Sequence, residues 1–364
     1  MSFLYDDGQM AIATESRRVL DARMAKDRLL PLLEQVGQYD EPFWRTAIEQ
    51  GWTGLAIPEE YGGLGLGLIE LGLVAQATGA HTAGAPFLTA GYGAARGLLH
   101  GSDVSLKEEW LPKVASGEKI VTVAFADASV PMPPASSVRF ENDRLWGAKS
   151  AVVAGQRADG ALVWAQHGKE PALVLADLSQ AVRKPVNSFD NSRLYADLVF
   201  DGTPARLVAE GDTARRIALE TLSAMAVVTA HEQLGGAEEL MTMARDYALT
   251  RKAFGQPIGG FQSVKHRIAE LYGLVELARA NCIHAAASDG QEHFLIAAAD
   301  ARISATEAYD TAARDCTQIH GGIGVTWEQG LHLHMRRARS LAIEQGNLLF
   351  WEDLLVEQIT GVAA

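Results

Sequence analysis

Cysteine is scarce. The 364-residue chain holds only Cys282 and Cys316. They lie too far apart to announce a disulfide framework, and neither is read as part of a zinc site, so no metal centre is expected and a reducing, cytoplasmic setting is the simplest expectation. No run of 18 or more apolar residues is present, which removes a membrane-spanning helix from consideration. The opening MSFLYDDGQM carries acids and lacks a basic stretch followed by an apolar one, so no secretory leader is expected there. Blocks of Lys and Arg are also missing. With 32 basic against 45 acidic side chains the net charge is −13, a balance that repels nucleic acid. Internal repeats and low-complexity tracts are absent. What is present is an ordinary globular composition, 48% hydrophobic and 21% charged, which excludes disorder for most of the chain. The length predicts two or three domains.

Three regions differ in pattern. Residues 1–115 read as helices. Asp40 and Pro42 open one of them, Asp as a cap for free N–H groups and Pro as a residue the first turn tolerates, and Gly51 ends it. A further apolar helix covers Leu68 to Ala80, and Pro86 is a helix breaker just beyond it. Residues 116–205 change to short apolar runs, Val121–Phe125, Leu162–Trp164 and Leu173–Leu175, between polar, Gly- or Pro-containing breaks, a pattern of strands and turns. Residues 206–364 return to helix. Val264, Ile268, Leu271, Val275, Ala278 and Cys282 recur at spacings of four and three and form one stripe. Leu219, Leu222, Met225, Thr229 and Glu232 make a less apolar stripe on the helix before it. Both stripes are bundle core in the first instance. The whole is α+β, mainly α, in three domains.

Two corners interrupt the C-terminal helices. Arg251-Lys252-Ala253-Phe254-Gly255-Gln256-Pro257-Ile258-Gly259 is basic and contains Gly and Pro. It either presents a guanidinium to a phosphate through paired charge-assisted hydrogen bonds, or is a plain helix–helix turn, which physics alone favours. Gln318-Ile319-His320-Gly321-Gly322-Ile323-Gly324 is rich in glycine, which lets a backbone approach a ligand. It is neither a Walker loop nor a GxGxxG fingerprint. His320 is assigned no proton-transfer role.

Together with Gly51-Trp52-Thr53-Gly54-Leu55 through Pro58-Glu59-Glu60-Tyr61-Gly62-Gly63, these corners resemble the acyl-CoA dehydrogenase family, in an order and spacing that span nearly the whole chain. The resemblance implies an N-terminal helical domain, a middle β-barrel-like domain and a C-terminal four-helix bundle. It also implies FAD, an acyl-CoA substrate, a flavoprotein electron acceptor and assembly as a dimer of dimers. In such enzymes a carboxylate removes the α proton of the thioester while the flavin accepts a hydride from the β carbon. By resemblance Arg251 faces the FAD diphosphate with Phe254 and Gln262 nearby. Gln318, Gly321 and Gly322 contact the adenosine and diphosphate side, both corners reaching into the flavin site of a neighbouring subunit.

The chain departs from that pattern where the flavin ring and the base belong. The family's Thr-Glu-Pro segment corresponds to Ala126-Asp127-Ala128, without the hydroxyl, and a later Thr corresponds to Val153, which follows Lys149. The two usual positions of the catalytic Glu correspond to Gln345 and Met225, neither of which accepts a proton at useful strength. Glu344 and Glu232 are the nearby carboxylates, for which a solvated or ion-paired structural role is the first expectation. These losses together resemble the base-lacking subunit of bacterial α2β2 heterotetramers in this family, some of which shorten steroid side chains. The alternatives are an active homotetramer using Glu344 or Glu232, a flavin-dependent monooxygenase on the same fold, and a scaffold that binds no flavin.

Overall fold

The computed structural model describes residues 5–23, 26–83 and 87–361. The chain divides into two compact units. One combines Pro31–Leu71 with Gly84–Met225, the other Met1–Leu30, Gly72–Ala83 and Ala226–Ala364. Helices come first: α1 (Asp7–Arg23), α2 (Lys26–Glu34), α3 (Glu41–Glu49), α4 (Leu68–Ala80), α5 (Phe87–His100) and α6 (Val104–Ala115). Asp40 caps α3 as its position predicts, its carboxylate accepting from the Phe43 N–H at 3.1 Å. The helix expected over Leu68 to Ala80 is α4. Pro86 lies outside the described residues.

Seven strands come next: β1 (Val121–Ala124), β2 (Arg139–Glu141), β3 (Arg144–Val152), β4 (Gly160–His167), β5 (Glu170–Asp177), β6 (Val182–Pro185) and β7 (Ala196–Glu210). The expected runs at 121–125, 162–164 and 173–175 fall on β1, β4 and β5. The pairings close on themselves: β4 to β2, β2 to β3, β3 to β7, β7 to β5, and β5 back to β4. β1 and β6 add along the free lengths of β4 and β7. Closure removes the sheet edges that would otherwise template pairing with another chain. Alternation then sorts side chains into two cores. Ala161, Val163 and Ala165 of β4 point into the barrel with Phe140, Leu145, Val174 and Leu198. Leu162 and Trp164 point the other way, onto Ala94, Leu98, Leu106, Leu111 and Ile217. A strand buried on both faces reads as a continuous apolar run, which is why residues 161–165 show no polar alternation. Each of these large side chains contributes about 1.5–3 kcal/mol through burial.

The second unit is helical. The long α7 (Gly211–Thr250), which belongs to this unit from Ala226 onward, leads to a hairpin of β8 (Lys252–Ala253) and β9 (Gln256–Pro257), then to α8 (Gln262–Ala287), α9 (Phe294–His320), α10 (Leu331–Leu341) and α11 (Leu348–Thr360). On α8, Leu271, Val275, Ala278 and Cys282 of the expected stripe are buried, while Val264 and Ile268 are half-buried. α7 exceeds its expected stripe, being buried on every side from Thr221 to Ala237. Part of that burial is a crossing with α4 so close that carbonyl oxygens occupy the places of side chains. A Cβ at Gly79 would lie 1.8 Å from the Glu232 carbonyl oxygen, and one at Gly235 would lie 1.8 Å from that of Gln76. Among the described residues no helix is long and apolar enough to cross a membrane.

Candidate functional site

The two sequence corners meet at one end of the helical unit. α7 ends there, α8 begins there and α9 ends there. His320, the last residue of α9, stacks on Tyr247 of α7 with ring centroids 4.2 Å apart. Arg267 on α8 bonds Asp315 on α9 at 2.6 Å. His320 is buried, its Nδ1 2.8 Å from the Cys316 carbonyl oxygen, which gives it the structural role expected of it.

The first corner is a two-residue hairpin. Lys252 pairs with Pro257 and Ala253 with Gln256, leaving Phe254 and Gly255 at the tip with φ of +51° and +85°. Two successive positive φ values match the twist of a tight hairpin, but that geometry favours Asn, Asp or Gly at the first position. Phe254 is there instead, 96% exposed, its ring edge-on to Phe261 with centroids 6.2 Å apart. Arg251 and Gln262 flank the tip and are exposed. At the second corner Gln318, Gly321 and Gly322 are exposed, and a Cβ on either glycine would meet nothing within 4 Å. Gly321 has φ +61° and ψ −139°, a conformation essentially closed to other residues. The six expected cofactor contacts therefore share one outward-facing end, with open space over the glycine backbone. This set suits a diphosphate-bearing dinucleotide: a guanidinium fork, an accessible glycine backbone and an aromatic face.

The positions around the base differ in character. Gln345, held at φ +55°, accepts a hydrogen bond from Thr229 at 3.0 Å. The turn carrying it is pinned by Arg302 of α9, a residue with no distinguishing mark in the sequence. Arg302 donates to the backbone oxygens of Leu341 and Glu344, the latter at 2.9 Å, and to Gln233 and Thr306 at 2.5 and 2.7 Å. Burial pulls its guanidinium down to about 10, against the opposing pull of Glu344 and Glu232. Glu344 is buried beside this arginine. Glu232 forms a buried ion pair with Arg337 at 2.8 Å, and Arg337 also donates to the carbonyls of Ala83 and Thr82. In the other unit Met225 is buried, its thioether packed so tightly on α5 that a Cβ at Gly93 would sit 2.3 Å from the sulfur.

The barrel positions expected near a flavin ring are occupied differently. Lys149 is fully buried. Its ammonium donates to the Phe125 carbonyl at 2.9 Å, to Ser136 at 3.1 Å and to the carboxylate of Asp127. Burial brings the ammonium down to about 8, partly offset by Asp127. Burial alone would raise Asp127, but the bonds from Lys149 and the Ser137 N–H outweigh it and hold the carboxyl below its usual range. Asp127 is thus committed to a structural pair, and Val153 offers only methyl groups.

A helical N-terminal region, a closed β region and a helical C-terminal region with an exposed basic and glycine-rich end define a helix–barrel–helix architecture. Models of the acyl-CoA dehydrogenase N-terminal and C-terminal domains match residues 7–118 and 215–349. The chain belongs to the acyl-CoA dehydrogenase family. It is 32% identical over 324 residues to acyl-CoA dehydrogenase IpdE2 of Mycobacterium tuberculosis, covering 88% of this chain and 85% of that protein. Among solved structures it is similar to the Tcur3481-Tcur3483 steroid ACAD G363A variant, with a TM-score of 0.86 and 27% identity over 98% of each chain. The ChsE4-ChsE5 complex from Mycobacterium tuberculosis shares the fold at a TM-score of 0.90 and 24% identity over the full length of both chains.

Proposed function

We propose that this chain is the FAD-contact-donating, base-lacking subunit of a heterotetrameric acyl-CoA dehydrogenase acting on an acyl-CoA thioester. One observation carries the reading. Phe254 stands 96% exposed on a backbone that strains any side chain, between the exposed Arg251 and Gln262. An aromatic held outward at such cost is accounted for by a ligand or chain that covers it.

When bound, FAD supplies the hydride acceptor. This chain's own residues bind and orient. The Arg251 guanidinium would pair with phosphate oxygens, Gln262 and Gln318 would hydrogen-bond, and the Gly321–Gly322 backbone would admit close approach. The proton acceptor for the α carbon comes from the homologous partner subunit. Gln345 and Met225 have no basic group, Glu232 is ion-paired with Arg337, and Glu344 is buried. Removing Glu232 would leave the Arg337 guanidinium buried and uncompensated. A flavoprotein takes up the electrons afterwards, and the setting is cytoplasmic.

The test is expression of the chain alone and together with a homologous acyl-CoA dehydrogenase subunit. The joint product should be a stable yellow complex that oxidises acyl-CoA, with fewer FAD molecules than chains. The chain alone should be poor in flavin and inactive. Stoichiometric FAD and substantial acyl-CoA oxidation by the isolated chain would overturn the proposal in favour of an active homotetramer.

A further inference from the structure

A cavity of about 580 Å³ opens in the helical unit between α1, α4, α7 and α8, and neither the cofactor corners nor the base positions line it. Its volume is in the range of small-molecule sites. Met10 and Ala13 of α1 and Leu73 and Ala77 of α4 give it apolar walls. The charged lining is unequal. Both acids already have partners: Glu238 bonds Arg279 at 2.5 Å and Gln76 at 2.7 Å, and Asp21 bonds His81 at 2.7 Å.

Arg17 and Arg18 also line the cavity, and their partners do not. Arg17 pairs with Glu239 at 3.2 Å and Arg18 with Glu15 at 2.6 Å, with arginine side chains 54% and 68% exposed. Exposed pairs of this kind hold weakly, so a ligand anion can share or replace the partner. An apolar chamber with two exchangeable guanidinium groups at its rim matches one ligand chemistry. We propose that this cavity binds a small amphipathic carboxylate, its apolar body against Met10, Ala13, Leu73 and Ala77 and its anionic head at Arg17 and Arg18. The site is separate from the flavin corners and does not depend on the division of labour between subunits.

Decanoate is the probe, with 1-decanol as its uncharged counterpart, titrated by calorimetry into the purified protein, with or without a homologous subunit. Decanoate should bind saturably at one per chain and about tenfold more tightly than decanol, the effect of a charge-assisted contact. The double substitution Arg17→Gln/Arg18→Gln should erase that difference. Ala13→Trp, at a half-buried position on the cavity wall, should abolish binding while the melting temperature and flavin content stay unchanged. Saturating acyl-CoA should not displace the probe. Equal affinity for decanol, binding that survives Ala13→Trp, or displacement by acyl-CoA would each overturn the proposal.

Discussion

The imidazole of His320 lies on the phenol ring of Tyr247, planes 20° apart and centroids 4.2 Å apart. Tyr247 stands one turn before Arg251, whose N–H bonds the Tyr247 carbonyl at 2.8 Å, and His320 immediately precedes Gly321. One aromatic contact thus fixes the spacing of two corners that α8 and α9 separate in sequence. Such a stack adds about 0.5–1.5 kcal/mol beyond area burial. His320→Ala should therefore lower the melting temperature and the FAD content of the assembled complex together. A loss of stability with full retention of FAD would separate the stack from the site.

Arg251→Gln should act on FAD alone. The side chain is exposed and its removal opens no cavity. Loss of a charge-assisted contact of about 1.5–3 kcal/mol predicts roughly 10- to 150-fold weaker FAD retention, read by dialysis and flavin absorbance. The thermal stability of the flavin-free chain should not move.

Phe254→Asn should move the two quantities in opposite directions. Asn tolerates the left-handed backbone, so relief of the φ of +51° stabilises the free chain by about 1 kcal/mol. The same change removes the exposed ring, so the complex should hold FAD less tightly. Calorimetric melting of the chain alone and flavin release from the complex measure the two effects.

Glu232 separates a structural carboxylate from a catalytic one. Glu232→Ala strands Arg337 in the interior and should cost about 3–5 kcal/mol. Glu232→Gln retains an acceptor for Arg337 and should cost less. Exchange of the substrate α proton by the assembled complex should survive Glu232→Gln, measured by deuterium incorporation into acyl-CoA.

Acid should destabilise the helical unit in a defined window. Burial holds His231 at about 4 and His334 at about 3, both below the ordinary 6.5, and His334 is also bonded to Tyr309 at 2.9 Å. The unfolded chain therefore binds protons that the folded chain refuses, so the stability these groups permit is complete above pH 6.5 and falls as pH drops from 6.5 toward 4. His231→Gln should flatten the slope of stability against pH in that interval, measured by urea unfolding at several pH values.

Much of the molecule is legible in local pattern. The Asp40 cap, the α4 limits, the three apolar strand runs and the α8 stripe each depend on neighbours within a turn or a pleat. The corner motifs are equally visible, and with them the family. Other features have no local signature. Arg302 stands in a helix whose alanines say nothing of the turn it pins, 39 to 42 residues away. Lys149 and Asp127 are separated by 22 residues and read as independent surface charges until the barrel closes around them.

Residue identity alone settles the family, the order of helix, barrel and helix, and the absence of a carboxylate at Gln345 and Met225, because composition at a position decides whether a basic group exists there at all. What the remaining charges do is settled only when the chain packs. Glu232 becomes the counter-ion of Arg337, Asp127 that of Lys149, and Arg251 is left facing outward. A buried charge must find a partner within a few ångströms, and that distance is set by packing between segments remote in sequence.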